Sequence, residues 1–572
     1  MPNARAASFF KFSNVHLTKI FAELKRRKVY SVAIAYAVGG WALAQGIAQV
    51  FPVFDIPNWV VRLICTLIAA GFPVALILSW FFDLTRYGIV RTPDLQEDRV
   101  RIARATTDVT PPESTEKSIA VLPFGDLSSE KDHAYFSDGI AEEILGALAK
   151  VDGLRVAARR SSFWFKGREA ELGEIARRLN VDHVVEGTVR REGNRVRVTA
   201  ELIDAREGFT IWSERYEREM RGIFALQDEI TRSIVDALKL KLAISPPPPR
   251  NTEAYDAYLH GLFYSDKSSE AELRKSLEFF ERAIELDPRF ARAWTGMAKA
   301  WLWLADAYVA PWEAYRRVRD AAVRALQLDD QEAEAHVYLA ETKRILDWDL
   351  DGAEAEFIRA VQIDPNSTPS NYFIAALYAS RGDRDKALRY LRRADRIDPA
   401  SLWVSNFACE SYRYFGLFDK AVAAGERALK LDPSFAHYGE PALGALYREM
   451  GRFEDAIGLY EKARQFTGRP GFGLAITYAR MNLRKEALET LDQAISGRGY
   501  CPGDAIAHVL VALGEHDDAI DQLERACEQR SSSLHGVGIA PEFIPLRPDK
   551  RFTSILQRIG LDPEKVFAAT GT

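Results

Sequence analysis

Residues 384–399 read RDKALRYLRRADRIDP and residues 418–433 read FDKAVAAGERALKLDP. In both, two alanines stand seven residues apart, Ala387 with Ala394 and Ala421 with Ala428, and both stretches stop at Asp-Pro. Apolar residues recur between them at helical spacing, so each stretch is an amphipathic helix that its proline terminates. Asp364-Pro365, Asp398-Pro399 and Asp432-Pro433 lie 34 residues apart, and Asp287-Pro288 marks an earlier unit. A period of that length denotes a helix pair repeated into a solenoid.

Working outward, Ala353, Ala456, Ala487 and Ala519 continue the register, each followed seven residues later by Ala360, Ala463, Ala494 and Ala526. Tyr378, Tyr412, Tyr447 and Tyr478 hold the large position of the first helix. The array is identified by this pattern as a member of the tetratricopeptide repeat family, with about eight units over residues 252–530. The second unit carries an insertion around Ala305 to Arg316. A last segment within residues 531–572, with Phe543, Leu546, Phe552, Leu556 and Ile559, is expected to cover the open end of the stack.

First helices of such arrays line a concave face that receives peptides or partner helices. Arg344, Arg413 and Arg448 occupy equivalent positions there and Arg480 is one residue off, with Tyr372, Trp403 and Asn406 nearby. Their resemblance to the basic and amide groups of carboxylate-holding tetratricopeptide domains implies a protein or peptide partner.

Toward the amino terminus the chemistry changes. Residues 29–51 contain no charge, and residues 59–82 contain only Arg62. Each run is long enough to cross a hydrocarbon core of roughly 30 Å. The short segment Pro52 to Asn58 joins them into a transmembrane hairpin over residues 29–82. Lys25-Arg26-Arg27-Lys28 before it, and Arg86, Arg91, Arg99, Arg101 and Arg104 after it, predict that both termini face the cytoplasm of a bacterial inner membrane. Residues 1–28 read as a basic amphipathic segment suited to anionic lipid. Gly39-Gly40 offers close approach for association between copies.

After a linker over residues 83–117, a small α/β domain is expected over residues 118–243. Ile119 to Phe124 read as a buried strand. A helix from about Gly139 to Lys150 follows, capped by Ser137 or Asp138 with Glu142 and Glu143 in its first turn. Further expected elements are a strand at Leu154 to Ala157, a helix from Arg168 to Leu179, and a hairpin of Val184 to Arg190 with Val196 to Ile203. A strand from Phe209 to Tyr216 and a helix from about Phe224 to Leu242 close the unit. The motifs Ile119-Ala120-Val121-Leu122-Pro123-Phe124, Tyr135 to Ile140, Arg160 to Phe163 and Glu186 to Arg190 resemble the TolB amino-terminal-like (FlgO-like) family. The resemblance implies an assembly or partner-binding role and brings no catalytic residue. Arg159, Arg160 and Ser161 form an anion-binding loop candidate, because guanidinium forks suit phosphate and carboxylate. Some multidomain proteins of this arrangement carry a nucleotide cyclase domain, but the α/β unit takes the whole span between membrane segments and repeats. A Pro-rich linker, residues 244–251, leads into the array.

Composition excludes other classes. A net charge of -5 and a pI near 6.1 argue against coating nucleic acid. Four cysteines without a Cys-x-x-Cys pair indicate neither a disulfide framework nor a zinc cluster. The nine histidines show no metal-ligand spacing, and no glycine-rich phosphate loop occurs, so no cofactor, metal or catalytic residue is expected. The chain therefore reads as mainly α and non-catalytic: a membrane-anchored scaffold that holds a protein or peptide partner. The alternative is a signalling or transcription-linked regulator whose α/β domain senses a small ligand.

Overall fold

The computed structural model describes Thr66, residues 82–91 except 86–87, and residues 117–570 apart from short stretches, the longest being 239–250 and 432–441. The chain divides into two compact units, Met1–Thr110 and Pro111–Thr572.

In the first unit, strands β1 (Phe82–Thr85) and β2 (Gly88–Arg91) pair antiparallel, Phe82 opposite Arg91. The linker expected from residue 83 thus begins with a strand pair, and Phe82 starts a strand instead of ending a helix. The basic segment and the two spans at 29–51 and 59–82 otherwise lie outside the described residues, save Thr66, which is helical. Among the described residues, no helix is long and apolar enough to cross a membrane.

The second unit opens with β3 (Lys117–Val121), β4 (Gly125–Asp126), α1 (Ala134–Leu148), β5 (Leu154–Val156), α2 (Arg159–Phe163) and α3 (Leu172–Leu179). β6 (His183–Glu192), β7 (Arg195–Asp204), β8 (Phe209–Glu219) and α4 (Ile223–Ala237) complete the α/β part. Sheet order is β5-β3-β6-β7-β8, parallel across β5, β3 and β6 and antiparallel from β6 to β8; β4 also joins β6 in parallel. The unbroken apolar run of β3 follows from its central place. Ile119 and Val121 enter one core with α1 and α4, while Ala120 and Leu122 enter a second with α3. Alternate side chains of a strand serve opposite faces, so both faces need apolar residues here. The turn Gly193-Asn194 joins β6 to β7, with Gly193 at φ 58, a conformation that costs glycine little.

The start of α1 departs from expectation. It begins at Ala134, so Ser137 and Asp138 are buried inside it and cap nothing. Tyr135 and Phe136 belong to the core, and burying them extends the helix toward its amino end. Asp138 pairs instead with Lys166. Glu142 and Glu143 accordingly sit mid-helix. A short helix, α2, also stands where a loop was expected, and α3 begins at Leu172 instead of Arg168.

The array follows as sixteen helices, hence eight pairs, among the described residues. They are α5 (Thr252–Ser265) with α6 (Glu270–Leu286), α7 (Ala291–Leu304) with α8 (Pro311–Leu328), α9 (Ala333–Thr342) with α10 (Leu350–Ile363), and α11 (Thr368–Ser380) with α12 (Arg384–Ile397). Then come α13 (Leu402–Tyr414) with α14 (Phe418–Leu431), α15 (Ala442–Glu449) with α16 (Phe453–Thr467), α17 (Phe472–Arg480) with α18 (Arg484–Ile495), and α19 (Gly503–Leu513) with α20 (His516–Gln529). The periodic alanines are buried at every turn, from Ala353 and Ala360 to Ala519 and Ala526. A larger side chain there would force neighbouring helices apart. Of the insertion expected around Ala305 to Arg316, residues from Pro311 onward already lie in α8, and α7 ends at Leu304.

The α/β part and the first repeats share a core, which runs from Ile119 through Ile144 and Ile230 to Tyr255, Phe280 and Leu304. At Gly139, α1 meets α5 so closely that a Cβ would stand 2.5 Å from Leu259. The carboxyl-terminal segment forms two 3-10 turns, Ser532–Gly536 and Pro541–Leu546, then α21 (Lys550–Arg558) and α22 (Pro563–Ala569). It packs on α20 and also runs back along the array, since Gly560 abuts the Trp348 carbonyl and Gly382 abuts Lys565 and Val566. Phe543, Leu546, Phe552, Ile555, Leu556 and Ile559 are all buried.

Candidate functional site

Arg413 lies in the last turn of α13 and Arg448 in the last turn of α15, at equivalent positions of neighbouring repeats. Both are buried, their side chains 4% and 6% exposed. One carboxylate oxygen, Oε1 of Glu542, accepts from Arg413 Nη1 at 3.0 Å and from Arg448 Nη2 at 2.9 Å. Arg413 also donates to Glu449 at 3.1 Å, and Arg448 to the Tyr460 hydroxyl at 3.1 Å. Burial alone would raise the Glu542 carboxyl, but the two guanidiniums and His508 hold it well below the usual carboxylate range. Burial keeps His508 below its ordinary value, and its ring lies 4.3 Å from that of Phe543. The sequence pointed to a carboxylate clamp for a partner. The clamp exists, and the chain's own carboxylate fills it.

The other groove candidates are also engaged, with one exception. Arg344 donates to buried Glu341 at 2.9 and 2.6 Å and to the Ser532 carbonyl at 3.4 Å. Tyr372 packs edge-on against Phe407 with centroids 4.8 Å apart, and burial pushes its phenol well up. Asn406 accepts from the Ala442 backbone N–H at 3.0 Å, tying α13 to the start of α15. Trp403 lies 4.9 Å from Trp303. Arg480 is exposed, with no ion pair among the described residues.

Of the loop candidates, Arg159 and Ser161 each engage a different carboxylate of the chain itself. They lie on α2, which docks where α12 turns into α13. Ser161 Oγ donates to Asp398 and accepts from the Ala400 N–H at 2.8 Å, while the Ala158 N–H donates to the Ile397 carbonyl at 3.2 Å. Arg159 pairs with Glu142 at 2.8 Å. The Arg160 guanidinium lies 5.9 Å from the Trp303 ring and 6.0 Å from that of Trp403, within cation–π reach. Burial raises the Asp398 carboxyl to about 6, with Ser161 and Arg160 opposing. The acids that complete both clusters, Glu542 and Asp398, escaped notice as partners. Glu542 had one visible mark, a lone acid between Pro541 and the apolar pair Phe543-Ile544.

Residues 368–401 and 442–464 match family models described as tetratricopeptide repeat. The array is a tetratricopeptide solenoid. Residues 115–233 match the model described as HilA/YgeH-like transcriptional regulator, second domain. A relative named putative adenylate cyclase 3, from Rhizobium meliloti strain 1021, is 36% identical over 259 residues, 43% of this chain. The chain spans 43% of that relative's length. Among solved structures, a thermophilic tetratricopeptide protein of Thermus thermophilus is 19% identical, covering 32% of this chain and 92% of its own, with TM-score 0.28. The type IV pilus biogenesis factor PilW is 15% identical, covering 42% and 99%, with TM-score 0.30.

Proposed function

We propose that this chain is a non-catalytic scaffold that holds a protein or peptide partner, anchored in a bacterial inner membrane with both termini cytoplasmic. The tetratricopeptide solenoid, eight helix pairs among the described residues, carries this reading, because stacked helix pairs build a large recognition surface without chemistry of their own. Anchoring rests on the uncharged run of residues 29–51, the nearly uncharged run of residues 59–82 and the basic flanks. Because Glu542 occupies the Arg413–Arg448 clamp, the partner is held by surfaces outside it, where Arg480 remains exposed. Alkaline extraction of membranes should leave the full-length chain in the pellet, and a phosphatase reporter after Thr572 should stay silent. An extracted chain or an active reporter overturns the anchoring. Cross-linking on intact membranes should join the chain to a protein at Arg480; labelling of the chain alone argues against the scaffold.

The match of residues 115–233 to a domain of transcriptional regulators favours a second reading, that of a regulator whose α/β part senses a small ligand. The resemblance to the TolB amino-terminal-like family, which implies an assembly or partner-binding role, belongs to the first reading. Cross-linking yields that change with added metabolites separate the regulator from a passive scaffold.

A further inference from the structure

The two edges of the α/β sheet are treated differently. β5 is three residues long and lies against the array, with Asn366 Nδ2 donating to the Leu154 carbonyl at 3.5 Å. β8 is eleven residues long and has no strand on its outer side among the described residues. A long open edge is a template for another strand, and proteins usually blunt one with proline, a bulge or a covering element. β8 contains no proline, its register with β7 shifts only near its start, between Leu202 and Ile203, and Phe209 and Ile211 are 70% and 44% exposed.

We propose that β8 pairs antiparallel with β8 of a second copy of this chain, about a two-fold axis through Tyr216. The inference is independent of the membrane reading. A two-fold axis normal to a continuous sheet returns every side chain to its own face, so a residue must lie opposite itself. Placing the axis on Glu214, Arg215 or Glu217 sets like charges against each other, which destabilises a cross-strand pair. On Tyr216 the pattern reverses. Arg215 then faces Glu217 of the second copy, and Glu214 faces Arg218 of the second copy, each contact occurring twice.

The neighbouring charges suit this register. Glu217 accepts from Arg197 at 3.0 Å and pairs with Arg195, so Arg215 of the second copy extends a row of alternating sign. Arg215 carries no ion pair among the described residues. Arg218 pairs with Glu229 at 2.9 Å and rests on the Glu217 carbonyl at 2.9 Å, covering an edge acceptor that a pairing strand takes over. Tyr216 is anchored beneath by Ser233 of α4 at 3.2 Å, which fixes the strand at the axis.

The test uses the full chain in detergent, followed by sedimentation over a range of concentrations. The wild type forms a reversible dimer. Arg215→Glu and Glu217→Arg each weaken it at least about tenfold, because two opposite-charge contacts become two like-charge contacts. Mixing the two variants restores a heterodimer, since each supplies the charge that the other lacks. A wild type monomeric up to about 100 μM, or a dimer indifferent to Arg215→Glu, overturns the proposal. If Glu217→Arg fails to fold, amide exchange decides with Arg215→Glu alone. Residues 213–219 gain protection with concentration in the wild type and not in the variant, and equal protection in both overturns the proposal.

Discussion

The groove clamp and the β8 edge are both charged surfaces, yet one is closed and the other open. At the clamp, Arg413 and Arg448 are buried against Glu542, which an apolar segment carries into place. At the edge, Arg215 lies in solvent. Buried ion pairs act on folding, because removing one partner strands the other in a low dielectric. Exposed charges act on encounter and register, because water screens them. Equivalent spacing along a repeat therefore shows neither that arginines converge, since Arg344 shares it and bonds Glu341 instead, nor whether a ligand comes from outside.

The largest expected effect lies in the clamp. Glu542→Ala leaves two buried guanidiniums without the carboxylate they share, and should cost about 3–5 kcal/mol in urea denaturation. Loss below about 1 kcal/mol would show the clamp to be solvated and the tail displaceable. Next comes the helix crossing at Gly139, where an alanine must push Leu259 from 2.5 Å. Gly139→Ala should cost about 1–3 kcal/mol, less any gain in helix propensity. A variant as stable as the wild type would mean that α1 and α5 are not held together.

Asp398 tests the docking of α2 through pH. Its carboxyl sits at about 6 in the fold, above the ordinary 3.8, so the folded chain binds a proton that the unfolded chain lacks between those values. This group therefore destabilises the fold above pH 6 and ceases to do so as pH falls toward 4. From pH 7 to pH 5 the wild type should gain about 1 kcal/mol relative to Asp398→Asn. Glu542, whose carboxyl is depressed in the fold, is present in both proteins, so its contribution cancels in the comparison. Parallel pH curves for the two proteins would place Asp398 in water.

What the sequence made legible follows from what each signal is made of. The repeat is written in size, because Ala387 and Ala394 must be small wherever the chain turns, and such constraints recur with the period. The hairpin at Gly193-Asn194 is written in backbone conformation, and it falls where it was expected. The start of α1 is not legible locally, because an acid before an apolar run is also the signature of a cap, and only the burial of Tyr135 and Phe136 decides otherwise. The engagement of α2 with the array joins Ser161 to Asp398 across a sequence separation that no local pattern reports. The filling of the groove had the same cause: Arg413 and Arg448 declare a need for a carboxylate, and any acid in the chain could meet it.

The smallest expected effect sharpens the comparison most. Arg215→Glu removes no intrachain ion pair among the described residues, so stability should change by less than about 0.5 kcal/mol. Glu542→Ala should show the converse, with a large loss of stability and an unchanged dimer constant once the fraction folded is taken into account. The two substitutions thus exchange readouts. If Arg215→Glu lowers the melting temperature as Glu542→Ala does, the β8 charges belong to the fold and the edge is blunted by its own arginines. If it alters association alone, the sheet edge is the surface on which this chain recognises another copy of itself, and the groove is part of what keeps it folded.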